Sequence, residues 1–185
     1  MDIDRLDGPE LMALVREGRR EAFIVIVRRH QKSLLNFFRR MGARSHEVED
    51  MAQETFLRVF NYRDRYEPTG KFTNFLFVLA RHVWADAGRR AQRRPESLSE
   101  KLDDRPAPDE RGVARAEARV DVEAALLGLS EKLRSVVVLS VYEGLEYSRI
   151  AEVLDIPVGT VKSRMHLAMR QMREILDVKA GAGRE

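Results

Sequence analysis

The stretch of sequence that decides the fold is SRIAEVLDIPVGTVKSR, residues 148–164. The apolar residues of its first half recur at the spacing of one helix face: Ile150, Ala151 and Leu154. Pro157 and Gly159 then predict a turn, and a second helix is expected to begin near Thr160, whose hydroxyl can cap it. A short helix, a brief turn and a new helix are the layout of a helix-turn-helix, whose second helix enters the major groove of DNA.

The second helix of this segment carries the candidate duplex contacts. Its polar side chains near the start can bond phosphates or base edges: Thr160, Lys162, Ser163, Arg164 and His166. Arginine is the side chain that most often reads guanine, through O6 and N7. An ordinary helical hairpin with a solvated polar face is the alternative, and the placement of Ala, Pro, Gly and Thr favours DNA binding over it.

A break in composition lies upstream of this segment. Residues 95–112 are rich in proline and acid and poor in large apolar side chains, so they cannot bury much surface and are typical of a linker. We assign residues 95–120 to the linker as a whole. It separates an N-terminal helical domain, residues 1–94, from a C-terminal helix-turn-helix domain, residues 121–178.

Helical periodicity dominates both domains. In the first domain, apolar residues at three- and four-residue steps predict helices over residues 10–16, 23–38, 47–60 and 72–90, with Ser45 as a cap, Gly42 as a stop and residues 61–71 as a loop. In the second, residues 136–138 are β-branched and could form a strand, but a lone strand has nothing to pair with. The predicted fold is therefore all-α: two small helical domains joined by a flexible linker.

Aromatic and cationic residues share the helix predicted over residues 72–90. Phe77, Arg81 and Trp84 are expected on a face turned away from the core, with His82 beside them. Stacking on unpaired bases suits such a face, each stack being worth about 1–3 kcal/mol, while cations hold the backbone. Further rings or cations come from the loop and the helix end: Tyr62, Tyr66, Arg89 and Arg90. For Trp84 taken alone, burial against the helix at 10–16 is the favoured interpretation.

Acidic residues crowd the start of the helix predicted over 47–60, where the helix dipole favours negative charge. They are Glu47, Glu49, Asp50 and Glu54, with Gln53 among them. Dipole compensation alone explains them. The functional alternative is a protein partner, since a nucleic-acid surface would not present this negative patch.

Composition excludes several classes of protein. Among 185 residues there is no Cys, so disulfides, thiolate nucleophiles and cysteine zinc sites are absent. The formal net charge is +3. The four His residues lack metal-ligand spacing, and no Gly-rich phosphate loop is present. No apolar run approaches the ~20 residues of a membrane span, and the acidic N-terminus does not resemble a signal peptide. We therefore expect a cytoplasmic protein that is not an enzyme, has no cofactor and does not insert into a membrane.

Three segments together resemble a known family. Residues 49–60 (EDMAQETFLRVF), residues 72–90, and residues 143–164 with EGLEY and GTVKSR are similar, in this order, to the extracytoplasmic-function (ECF) sigma factors of the sigma-70 family. The resemblance implies a polymerase-binding segment, a promoter-melting helix and a DNA-reading C-terminal domain. It implies core RNA polymerase and promoter DNA, both duplex and melted, as partners, together with an anti-sigma factor.

The resemblance, carried over position by position, and the residue patterns above together assign roles to individual residues. Core-polymerase binding falls on Asp50, Gln53, Glu54 and Phe56. The −10 element and its single strand fall on Tyr66, Phe75, Arg81, His82, Trp84, Arg89 and Arg90. The −35 element falls on Thr160, Lys162, Ser163, Arg164 and His166.

Four positions depart from the family pattern. The family usually has Trp at Phe75, Asn at His82, and basic residues at Leu167 and Met169; these departures bear on promoter specificity. The predicted function is a sigma factor that directs promoter-specific initiation. The alternative is a free-standing helix-turn-helix regulator that binds duplex operators as a dimer.

Overall fold

The computed structural model describes residues 2–93 and 113–182, and every regular element in those two ranges is a helix. The helices form two compact units, one built mainly from the first range and one mainly from the second. The all-α fold predicted from the sequence is confirmed. Residues 95–112, the first and larger part of the expected linker, lie outside the described residues.

The N-terminal unit consists of a 3-10 turn and four α-helices. The turn spans Ile3–Arg5, and the helices are α1 (Gly8–Arg16), α2 (Arg20–Met41), α3 (Ser45–Asn61) and α4 (Phe72–Arg93). α4 packs against both α3 and α1. Side chains from all four helices form the core, including Leu11, Ile26, Leu34, Phe38, Val59 and Leu76.

Local hydrogen bonds define the helix ends of this unit. The Oδ1 atom of Asp7 accepts from the Glu10 amide at 2.9 Å, while the Asp7 amide donates to the Glu10 carboxylate at 2.7 Å, a complete capping box. Gly42, at φ +96°, ends α2 as expected. Ser45 is not the cap of α3: it is the first helical residue, and the amide of Arg44 before it donates to Glu47.

Phe77 also differs from the sequence prediction. It was expected on an outward face of α4, yet only 2% of its surface is exposed, and its ring lies 5.3 Å from that of Phe37. The physical reason is that α4 has neighbours on two sides, so the buried arc of this helix is wider than a single apolar stripe.

The C-terminal unit contains four α-helices: α5 (Val113–Gly128), α6 (Glu131–Val137), α7 (Tyr147–Leu154) and α8 (Val158–Ala182). α6 continues directly into a π-helical turn, Val138–Tyr142. α8 packs against α5 and α6. Residues 136–138 are helical and buried, which confirms the helical interpretation of this β-branched run. α5 begins at Val113, so residues 113–120, assigned to the linker from the sequence, are helical.

A single arginine closes the turn between α5 and α6. The guanidinium of Arg134 donates to the carbonyl oxygens of Leu126 and Leu129, at 3.1 and 2.8 Å. These carbonyls lie in the last turn of α5 and just beyond it, where intrahelical donors are lacking. Arg134 therefore fixes the approach of α6 to α5.

The turn between α7 and α8 occupies residues 155–157. Asp155 adopts a left-handed conformation at φ +53°. The carbonyl of Pro157 accepts from the amides of Thr160 and Val161, at 2.9 and 3.2 Å. Because these bonds start α8 at Val158, Thr160 lies inside the first turn, and the expectation that it caps the helix is wrong.

Candidate nucleic-acid interface

The exposed face of α8 is polar at its N-terminal end. Lys162, Ser163 and His166 are exposed, and Thr160 and Arg164 are half-buried. The opposite face is buried through Val161, Met165, Ala168 and Met172. All five candidate duplex contacts thus lie within the first turns of one helix, at the end that a recognition helix presents to base edges.

Exposed apolar surface interrupts this face further along. Met169 is exposed, and Leu167 is half-buried. The α8 face therefore combines cations near its start with a methionine two turns after Lys162.

Four aromatic rings cluster where the loop after α3 meets the start of α4. We call Tyr62, Tyr66, Phe72 and Phe75 the pocket aromatics. The rings of Tyr66 and Phe75 are 5.0 Å apart, those of Tyr62 and Phe75 6.0 Å, and those of Tyr66 and Phe72 6.2 Å. Phe72 is buried beneath the others, Tyr66 and Phe75 are half-buried, and Tyr62 is exposed. The cluster thus offers partly open ring faces to a flat ligand.

Tyr66 keeps its phenolic proton in this setting. Burial raises the pKa of the Tyr66 hydroxyl, and the negative charge of Asp7 raises it further. A neutral phenol both donates and accepts a hydrogen bond. Tyr66 can therefore combine stacking with one directional polar contact.

Not all candidate strand-binding residues of α4 lie together. At about 100° per residue, Phe75, His82 and Arg89 follow one line along the helix, and Arg90 lies on a flank of that line, about 60° from Phe75. His82, Arg89 and Arg90 are exposed. Trp84 is half-buried about 180° away from Phe75, and Arg81 is also half-buried on a flank about 120° away. The line from Phe75 through His82 to Arg89 forms one surface, with Arg90 and Arg81 on opposite flanks of it and Trp84 on the other side of the helix.

An ion network connects α3 with α4. Arg58 of α3 donates to Glu54 on its own helix and to Asp86 of α4, each at 2.9 Å. Arg89 pairs with the other oxygen of Asp86. The hydrogen bond from Arg58, joined by the one from Arg89, holds the pKa of Asp86 below its ordinary value despite desolvation. No sequence pattern signals this network, because Arg58 and Asp86 are far apart in the chain.

On the acidic face of α3, most of the side chains predicted to bind polymerase reach solvent. Asp50 and Gln53 are exposed, and Glu54 is half-buried. Phe56 is different: it is 7% exposed and packs edge-on against Phe23, with ring centroids 6.5 Å apart. Its side chain supports α3 from the core and does not present a contact surface, which corrects the sequence assignment.

Sequence reasoning missed an apolar residue on the same face. Leu57 is 53% exposed, and it lies seven residues after Asp50, which places it almost directly below that carboxylate on α3. Phe60, one turn further, is also partly exposed. The sequence does contain a signal for this exposure. Leu57 lies at i+7 from Asp50 and so shares the helix face of that acidic residue, away from the core face occupied by Phe56. The face thus carries both charge and apolar surface, as protein interfaces do.

Within the two described ranges, no group of three or more His, Cys, Asp or Glu side chains could hold a metal ion. No helix in these ranges is long and apolar enough to cross a membrane.

The fold and these surfaces define a DNA-binding protein built from two sigma-70 regions. Residues 26–94 match the sigma-70 region 2 family, and residues 119–172 match the sigma-70 region 4 family. The first match contains α3, the pocket aromatics and the Arg58 network. The second contains the helix-turn-helix.

Individual relatives point the same way. The chain is 30% identical over 176 residues to the ECF RNA polymerase sigma factor SigW of Bacillus subtilis, an alignment covering 88% of this chain and 92% of SigW. It is 36% identical over 155 residues to the ECF RNA polymerase sigma factor SigE of Mycolicibacterium smegmatis, covering 82% of this chain and 60% of that protein. The solved structure of CnrH, in complex with the cytosolic domain of CnrY, matches with a TM-score of 0.70 at 28% identity, over 96% of this chain and 99% of that one.

The chain therefore belongs to the ECF family of RNA polymerase sigma factors. It is a promoter-specific factor of transcription initiation that binds core RNA polymerase and promoter DNA. A free-standing operator-binding regulator is not favoured, because the region 2 match covers most of the N-terminal unit.

Proposed function

We propose that the exposed face of α3 is the surface that holds core RNA polymerase. Asp50, Gln53 and Glu54 supply polar and charged contacts, and Leu57 supplies apolar contact area beside them. Phe56 takes part only by fixing the helix from the core side. The mixture of exposed carboxylates with an exposed leucine supports this assignment, because solvation or dipole compensation accounts for the acids but not for Leu57.

The pocket aromatics are proposed to capture a base of the melted −10 element. Flipping a base out of the stack costs a few kcal/mol, and stacking on aromatic rings returns about 1–3 kcal/mol per base. Tyr66 and Phe75 provide the half-open rings, while His82 and Arg89 continue along the same line of α4 and offer exposed polar side chains to the strand beyond the pocket. We assign Arg90 and Arg81 to the flanks of this interface, and Trp84, on the opposite side of α4, to no direct strand contact.

The polar start of α8 is proposed to read the −35 element. Arg164 and His166 can reach base edges, and Lys162, Ser163 and Thr160 can bond phosphates. Each unit alone offers a small interface. When polymerase holds both, the second contact becomes intramolecular, and overall affinity rises without new contacts.

The protein is further proposed to act in the cytoplasm, where it recruits polymerase and captures strands without making or breaking covalent bonds, and it needs no cofactor for this.

A regulatory protein of the anti-sigma type is the proposed antagonist. The support is that CnrH, a relative in structure, was captured in complex with the cytosolic domain of CnrY. The domain limits we propose are residues 1–94 and 121–178, with the helical residues 113–120 extending the second unit.

One observation carries the proposal most directly: a single helical unit presents an acidic and apolar α3 face together with half-open aromatic rings that continue into exposed cations on α4. A duplex-binding regulator has no use for partly open rings beside a negative surface. A subunit that joins polymerase to a melted strand needs both.

Run-off transcription with core polymerase tests the polymerase surface. Asp50→Lys together with Leu57→Asp is expected to abolish specific transcripts and polymerase binding. Glu123→Lys, which reverses an exposed carboxylate on α5, is the control and is expected to leave polymerase affinity unchanged. Full polymerase affinity of the double variant would overturn the assignment of the α3 face.

Strand capture is tested with holoenzyme and a fork-shaped promoter probe. Tyr66→Ala is expected to weaken capture by about 1–3 kcal/mol through the lost stack. Tyr66→Phe retains the ring and is expected to retain most of that energy. Equal behaviour of the two variants would refute the pocket.

A further inference from the structure

Four charged side chains form an unbroken chain from α3 to α4. Glu54 pairs with Arg58, Arg58 with Asp86, and Asp86 with Arg89. The two outer members already have proposed roles: Glu54 on the polymerase face and Arg89 on the strand-binding line. The two inner members, Arg58 and Asp86, have none. The network therefore connects the two proposed surfaces of the N-terminal unit.

The inner pair is less exposed than the outer end. The Arg58 side chain is 25% exposed, whereas that of Arg89 is 62% exposed. Ion pairs that are partly buried are screened less by water and salt than those on the surface. The Arg58–Asp86 contact is thus the fixed part of the network, and the contact of Arg89 is the part most easily exchanged for another anion.

Each inner group divides its attraction between two partners. Arg58 donates through Nε to Glu54 and through Nη2 to Asp86. Asp86 accepts from Arg58 at one oxygen and pairs with Arg89 at the other. When an external cation pairs with Glu54, the positive charge of Arg58 is left to Asp86 alone. Asp86 then holds Arg89 more weakly, and the Arg89 guanidinium becomes available to a phosphate.

We propose that Arg58 and Asp86 are positioning residues that keep the Arg89 guanidinium paired with Asp86, and so less available to strand phosphates, until a cation of the polymerase engages Glu54. The network makes engagement of the α3 face favour strand binding by α4. This inference rests on the proposed function of those two faces and adds the coupling between them.

The test uses the full-length protein without polymerase and a fluorescent single-stranded oligonucleotide. Glu54→Gln removes the anion that competes for Arg58, as an external cation would. Strand affinity is expected to rise about two- to fivefold, the amount one partly exposed ion pair contributes. Glu49→Gln is the matched control, since Glu49 is an exposed carboxylate of α3 with no ion pair among the described residues. It reports the effect of removing one negative charge alone.

Two further variants identify the route of the effect. Arg89→Ala is expected to remove the gain when combined with Glu54→Gln, because the gain depends on release of that guanidinium. Asp86→Asn is expected to raise strand affinity by itself, since it frees Arg89 directly. Thermal unfolding of each variant confirms that the comparison is between folded proteins. Because Glu54→Gln alters only a half-buried pair on the surface of α3, it remains informative even if Asp86→Asn fails to fold.

The outcomes separate this inference from the function it rests on. Equal strand affinities of Glu54→Gln and Glu49→Gln, in a protein whose strand binding still depends on Tyr66, would overturn the coupling and leave the pocket standing. Strand binding that depends on neither Tyr66 nor Arg89 would overturn the proposed strand-binding surface itself. A gain specific to Glu54→Gln that disappears in the Arg89→Ala background would establish the coupling.

Discussion

Gly8, the first residue of α1, lies directly against Phe72, the first residue of α4: a Cβ atom at Gly8 would come within 2.2 Å of the Phe72 Cβ. Phe72 in turn contacts the rings of His30, Tyr66 and Phe75. The absence of a side chain at Gly8 therefore sets how closely α1 approaches the base of the pocket aromatics.

Gly8→Ala is expected to destabilise the N-terminal unit. The added methyl group meets the Cβ of Phe72, which cannot move without shifting the start of α4, and overpacking of this kind costs about 1–3 kcal/mol. Thermal or denaturant unfolding measures the loss. Gly88→Ala is the control: a Cβ there meets no atom within 4 Å, and replacing glycine by alanine within a helix is expected to stabilise by about 0.5–1 kcal/mol. Variants of equal stability would contradict the close approach.

Stability is expected to fall as the pH drops below about 6.5, the unperturbed pKa of histidine. Burial lowers the pKa of His30 in the folded protein, and the charge of Arg29 lowers it further. The unfolded chain therefore binds a proton at a higher pH than the folded protein does. Between the two pKa values, acidification favours unfolding, with a slope of at most about 1.4 kcal/mol per pH unit for one group.

The measurement is denaturant unfolding of the wild type and His30→Phe at pH 7.5 and in steps down to pH 5.5. Phenylalanine keeps the ring contact with Phe72, which is 5.2 Å from His30 between centroids, but has no proton to bind. The difference in stability between the two proteins is expected to change in favour of the variant as the pH falls. A constant difference over this range would exclude His30 as the source of the pH dependence.

Much of the fold is readable from the sequence because the helices are long and amphipathic. The periodicity around Phe38, Val59 and Leu76 places three core faces correctly, since a solvated opposite face leaves one orientation for each helix. Two side chains differ from their assignments for different reasons. Phe77 lies at the edge of the buried arc of α4, and periodicity within one helix does not tell how many neighbours that helix has. Phe56 lies on the core face that its spacing with Ala52 and Val59 predicts, and only the family resemblance assigned it to polymerase binding.

The candidate site was readable where it is local and not where it depends on contacts between helices. The polar start of α8 follows from neighbouring residues in one segment. The pairing of Arg58 with Asp86 joins residues of two helices, and no pattern within either helix requires it. The helix starts also differ from the prediction, because the carbonyls of Pro157 and Arg44 accept from the first amides of α8 and α3, bonds that a Thr or Ser hydroxyl was expected to accept.

Phe77→Ala distinguishes a core residue from a stacking residue. Because Phe77 is only 2% exposed, its truncation to alanine is expected to lower the unfolding free energy by about 3–5 kcal/mol. If the ring were instead exposed and stacked on the strand, its truncation would lower strand affinity and leave the unfolding free energy almost unchanged. Equilibrium unfolding together with strand binding decides between the two. Tyr62→Ala provides the comparison, because Tyr62 is an exposed aromatic residue.

Lys162→Ala is expected to weaken binding of holoenzyme to promoter duplex by a similar factor whatever the −35 sequence. Lys162 is exposed at the start of α8, where a lysine acts as a point charge toward phosphate and carries no base information. Losing one phosphate contact reduces the slope of log K against log salt concentration by about 0.9. Arg164→Ala, by contrast, is expected to relax the sequence preference at one base pair, because arginine reads guanine through two hydrogen bonds. Lys132→Ala removes an exposed cation of α6 and is expected to leave the slope unchanged. If Lys162→Ala keeps the wild-type slope, or changes the preferred −35 sequence, Lys162 does not contact phosphate in the way its position on α8 indicates.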